Sequence, residues 1–117
     1  VQEFMIRPDI AKSFSEAMRV CFLVIKSLSK LIKDKGLSTS VGDEGGFAPM
    51  ISSNNQALDL IVSAIKKAGF KKCELMATKA GEPLYKVKGY RITEEVLYKS
   101  LSGLTVPMMK MEKRISI

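Results

Sequence analysis

The chain has 117 residues, 46% of them hydrophobic, with a mean hydropathy near zero, which suits one globular domain over residues 1–117 with a core of its own. Nineteen Lys and Arg stand against twelve Asp and Glu, a net charge of +7, and the lack of any histidine removes His-based triads and most zinc sites. The densest apolar run, VCFLVI at 20–25, is far short of the ~18–20 residues that a membrane span needs.

EFMI (3–6), closed by Pro8, reads as a short buried strand. Ser13-Phe14-Ser15-Glu16 has the form of a capping box. It precedes Ala17, Met18, Cys21, Val24, Ile25, Leu28, Leu31 and Ile32 at helical spacing, with Gly36 as the stop, so a helix of about six turns is expected. The loop SVGDEGGFAP (40–49) follows. Ser53 to Gln56 forms a second box, and Leu58, Ile61, Val62, Ile65 and Ala68 make a second stripe that ends at Gly69. CELMAT (73–78) reads as a strand and GEPLYKVKGY (81–90) as a loop or small hairpin. Thr93 is expected to cap a third helix through Val96, Leu97 and Leu101 to Gly103, and VPMMKM (106–111) to form a last strand. The order strand, helix, loop, helix, strand, helix, strand predicts α/β architecture with a mostly parallel sheet and helical crossovers.

The lysines cluster at 26, 30, 33 and 35 and again at 66, 67, 71 and 72, spacings that suit the solvated face of amphipathic helices better than a nucleic-acid footprint. No RNP-like aromatic pattern, zinc finger or arginine run accompanies them. Cys21 and Cys73, on a predicted helix and strand without metal-ligand spacing, read as reduced, packed thiols of a cytoplasmic protein. The first residues lack the ordered basic, apolar and small-residue regions of a secretory leader, and none is expected. The acidic loop holds the most suggestive chemistry. Asp43 and Glu44 are adjacent among glycines that let another molecule approach closely, and neighbouring carboxylates raise the proton affinity of at least one of them, which suits a general acid. A solvated turn is the plain alternative.

QEFMIRP (2–8), SFSEAMR (13–19), KGLSTSVGDEGGFAP (35–49) and NNQALDLIVSAIKKAGF (54–70), in that order and at those intervals, closely resemble the barrel domain of enolase. Beyond residue 70 the resemblance is traceable in LYKVKGY, ITEEVL and VPMMKMEK. It implies a partial (β/α)8-type, TIM-like barrel. It also implies the family's activity, the Mg²⁺-dependent dehydration of 2-phosphoglycerate to phosphoenolpyruvate, and the family's homodimeric or larger assembly. A developing charge beside a carboxylate calls for cations to offset it, and a hydroxide leaving group calls for an acid. Carried over by position, the resemblance makes Glu44 the acid that protonates the departing hydroxyl, has Gln2 contact the substrate, and has Glu3 support the acid end of the substrate site.

Departures from the family pattern bear on the metal. The family's first ligand is an Asp in a Leu-Asp-x-Ala-Ser-Ser-Glu-Phe-Tyr segment. The counterpart MATKAGEPLY (76–85) contains no Asp: alignment on Tyr85 places Thr78 there, and ungapped counting from Glu44 places Gly81, neither of which binds a hard cation as a carboxylate does. Glu112 in MEKR stands for the second ligand, followed by Lys113 where the family has Asp. The third ligand and the lysine base belong to segments beyond those matched. The expectation is an enolase-family portion without turnover of its own; the alternative is a non-catalytic basic module that binds a protein partner or nucleic acid. A few barrel strands leave edges unpaired, so an isolated portion is expected to be marginal or partner-dependent.

Overall fold

The computed structural model describes residues 4–43 and 45–115, which fall into two compact units, 1–70 and 71–117. The first unit is built on two helices, α1 (Phe14–Asp34) and α2 (Asn54–Lys67), which pack on each other. Both start where the sequence says. The hydroxyl of Ser13 accepts the Glu16 N–H at 3.1 Å and that of Ser53 accepts the Gln56 N–H at 3.2 Å. The boxes close in return: the carboxylate of Glu16 accepts from the Lys12 N–H and the side-chain carbonyl of Gln56 from the Ser52 N–H. Each cap occupies helix-terminal donors that would otherwise lack partners. Gly36 and Gly69 follow the helix ends with φ of 73° and 102°, a region that side-chain-bearing residues rarely enter. Val20, Val24 and Ile32 of α1 and Leu58, Leu60 and Ala64 of α2 are buried. A second stripe on α1, comprising Phe14, Met18, Phe22 and Ile25, is exposed.

The second unit holds β1 (Lys72–Thr78), α3 (Glu82–Val87), β2 (Arg91–Lys99) and β3 (Thr105–Arg114). The sheet order is β1-β3-β2, and both pairings are antiparallel. Cys73, Ala77, Met109 and Met111 are buried, and the β1–β3 register sets Ala77 opposite Met109 and Leu75 opposite Met111, so they line one face at the two-residue period of a strand. The ring of Tyr85, on α3, meets that of Tyr90 edge-to-face, with centroids 5.9 Å apart. Tyr90 is buried and shares a hydrogen bond with the Cys73 thiol; burial first, then that contact, pushes the phenol's pKa up, and burial likewise raises the thiol's.

Four expectations are corrected. Of the strand expected at 3–6, Phe4, Met5 and Ile6 have no regular structure, and Glu3 lies outside the described residues. Residues 81–90 contain a short helix: Pro83 sits in its first turn, where a missing N–H costs nothing. The segment from Thr93 is a strand. Its apolar positions fit a helix, yet Ile, Thr, Val and Tyr suit a pleated surface, and the Thr93 hydroxyl donates to the Lys110 carbonyl across the sheet and caps no helix. That strand replaces the crossover helix a parallel pair would need, so β2 returns directly into β3 through residues 100–104 and the pairing is antiparallel. Helices and sheet remain those of an α/β chain, and among the described residues no helix is long and apolar enough to cross a membrane.

Candidate functional site

The acidic loop after α1 is a tight hairpin. Val41 bridges Phe47, the Ala48 N–H donates to the Ser40 carbonyl at 2.9 Å, and the Gly42 N–H donates to the Gly46 carbonyl at 2.8 Å. The Gly45 N–H closes the tip on the Gly42 carbonyl at 3.0 Å. Gly45 has a φ of 86°, so a side chain there would strain the turn. Asp43 and Gly46 are exposed at this tip. Glu44 lies outside the described residues, as do Gln2 and Glu3.

Glu112 is described. It lies on β3 between the two flanking strands, opposite Glu74 of β1 and Arg91 of β2. The Arg91 guanidinium donates to one carboxylate oxygen at 2.5 Å, and the Lys72 ammonium stands 3.7 Å from the other. Lys72 also pairs with Glu74 at 2.9 Å, and Lys110 reaches Glu74 at 3.8 Å. The hydrogen bond from Arg91, with the charges of Arg91 and Lys72 behind it, holds the Glu112 carboxyl below the usual glutamate range. The hydrogen bond to Glu74 raises Lys72 in turn. The cluster is an ion-pair ladder of alternating sign. Both oxygens of Glu112 face cations, and a divalent ion would have to displace at least one of them.

Thr78 and Gly81 sit together at the end of β1, where the Gly81 N–H donates to the Thr78 carbonyl at 3.1 Å. Neither offers a carboxylate. Among the described residues no group of three or more His, Cys, Asp or Glu side chains is placed to hold a metal ion. A small open cleft of about 150 Å³ between α1 and α2, lined by Leu31, Lys35, Gln56, Asp59, Leu60 and Ser63, contains none of the predicted site residues. Reading along the chain found Glu112 but missed its partners, since Arg91 is 21 residues away and only the strand register joins the two.

Residues 1–98 match the family described as the enolase C-terminal TIM barrel domain. The chain belongs to that family. Over 71 residues, 61% of its length, it is 76% identical to the enolase of Pelagibacter ubique (strain HTCC1062). The chain spans 17% of the length of that enolase relative. The match therefore takes in both helices of the first unit, the glycine-rich acidic loop, β1, α3 and most of β2. It stops short of β3, so Glu112 lies outside it.

Proposed function

We propose that this chain is a portion of an enolase whose family function is the dehydration of 2-phosphoglycerate to phosphoenolpyruvate in the cytoplasm, and that these 117 residues do not turn substrate over by themselves. The family membership and the 76% identity to an enolase support the first part. One observation carries the second. Glu112, the candidate metal ligand, is bound on both oxygens by Arg91 and Lys72.

In this reading Glu44, within the glycine-rich acidic loop, delivers a proton to the departing hydroxyl. A hydroxide is a poor leaving group, so its C–O bond breaks only as an acid hands it a proton, and that acid must sit within hydrogen-bond reach. The backbone closures from Gly42 to Gly46 and from Gly45 to Gly42, with Gly45 at positive φ, keep the flanks of this loop tight. Gln2 contacts the substrate, and Glu3 supports the acid end of its site. Enolases use Mg²⁺, which offsets the charge that develops beside the substrate carboxylate. Among the described residues the candidate donors do not fit such an ion: Glu112 is committed to cations, and Thr78 and Gly81 stand where a carboxylate would be needed.

The direct test is phosphoenolpyruvate formation, followed by its ultraviolet absorbance, with 2-phosphoglycerate and excess Mg²⁺. The expected rate equals that of a protein-free blank. Turnover that disappears in Glu44→Gln would refute the proposed inactivity and at the same time establish the acid.

A second reading, a non-catalytic basic module, is favoured by the distribution of charge: residues 71–117 contain ten Lys and Arg against five Asp and Glu. Binding to an anionic partner that weakens steeply between low and physiological salt is its expected sign; salt-independent binding would contradict it.

A further inference from the structure

Strand β2 is an outer strand of the sheet, with β3 on one side and no strand of the sheet on the other. Its backbone alternates in a way that can be read off the turn. The Ser100 N–H donates to the Leu104 carbonyl at 2.8 Å, so this pair is hydrogen-bonded. Stepping back by two, Tyr98 opposite Val106, Val96 opposite Met108 and Glu94 opposite Lys110 turn their N–H and C=O groups toward β3. Glu95, Leu97 and Lys99 turn theirs outward. Pro107 opposite Leu97 agrees with this, because a proline nitrogen has no proton to give and belongs at a position facing away from β2. Leu97 is 72% and Tyr98 60% exposed, and Glu95 and Lys99 are exposed with no ion-pair partner among the described residues. An exposed edge with unpaired outward N–H and C=O groups is a template for another strand.

The sequence of the edge says which strand fits. Two copies related by a two-fold axis would pair antiparallel, with outward-facing residues opposite one another. An axis on Glu95 or on Lys99 sets that charge against itself. An axis on Val96 sets Glu95 against Leu97, and one on Tyr98 sets Lys99 against Leu97. An axis on Leu97 differs from all of these. It places Glu95 opposite Lys99 twice, Leu97 against Leu97, and Val96 against Tyr98 twice on the other face of the sheet. Opposite charges and aromatic against β-branched are the favourable cross-strand pairs.

We propose that β2 pairs antiparallel with β2 of a second copy of this chain, centred on Leu97 and registered by the Glu95–Lys99 pairs. Each outward-facing pair exchanges two backbone hydrogen bonds, and the two three-stranded sheets join into one continuous sheet. The interface is independent of the acidic loop and of any turnover.

The test is sedimentation velocity on the full chain over a concentration series. The expected result is a reversible monomer–dimer equilibrium. Glu95→Lys or Lys99→Glu turns both symmetry-related attractive pairs into repulsive ones and is expected to weaken the dimer about tenfold. The two variants mixed in equal amounts restore opposite charges at both pairs, so the mixture is expected to dimerise as the original chain does. Recovery on mixing also shows that neither variant has simply unfolded. A monomer at every concentration overturns the proposal, as does a dimer indifferent to either variant or a mixture that fails to recover.

Discussion

Met111→Ala should cost the second unit much of its stability. Met111 is fully buried at the middle of the central strand, between Leu75 of β1 and Ile92 of β2 in the register. Truncation removes three heavy atoms. At about 0.8 kcal/mol for each buried methylene-sized group the transfer loss is about 2.4 kcal/mol. The cavity adds to this, because strands held on both sides cannot collapse fully, and the total falls near 3 kcal/mol, within the roughly 2–5 kcal/mol typical of Met→Ala in a core. Met76→Ala is the control. Met76 is 51% exposed on the opposite face of β1, so its loss should be about 1 kcal/mol or less. Urea unfolding followed by near-ultraviolet circular dichroism reads this cleanly: the chain has no Trp, and its three Tyr, at 85, 90 and 98, all lie in the second unit. Equal losses from the two variants would refute the face assignment, and with it the register on which the Glu112 cluster depends.

Ser13→Ala removes the hydroxyl that accepts the Glu16 N–H and should destabilise the first unit by about 1 kcal/mol, measured by far-ultraviolet circular dichroism in urea; Ser13→Asp should restore most of it. The ion-pair ladder sets a pH dependence. Glu112 has a lowered pKa in the folded chain, so its contribution is complete above the usual glutamate value near 4.3 and is lost as the pH falls through the lower, folded value. Arg91→Ala should move the Glu112 titration upward toward the usual value, as read by carbon-detected NMR of its carboxyl, and shift the acid unfolding midpoint to higher pH. An unmoved titration would show that Arg91 does not hold this group.

Local chemistry was legible along the chain, and long-range pairing was not. Both long helices announce themselves through Ser13 and Ser53 at one end and Gly36 and Gly69 at the other, since a cap is a contact between residues three apart. The strands expected at 73–78 and 106–111 lie within β1 and β3, at 72–78 and 105–114. The segment 91–99 was not. Val96, Leu97 and Leu101 after Thr93 satisfy a helical stripe, and only pairing with β3 decides for a strand. The parallel sheet went wrong with it, because direction follows from the connection and a five-residue turn permits only the antiparallel one. At the site, the matched segments point to the acidic loop through residues 35–49, whereas the fate of Glu112 depends on Arg91 and Lys72, which come from different strands.

Magnesium titration by calorimetry at neutral pH asks most directly whether Glu112 is given over to cations of the chain itself. The wild-type chain and Glu112→Gln are both expected to give only heats of dilution. Saturable binding by the wild-type chain that vanishes in Glu112→Gln would contradict this account, because it would mean that the carboxylate leaves Arg91 and Lys72 for the metal.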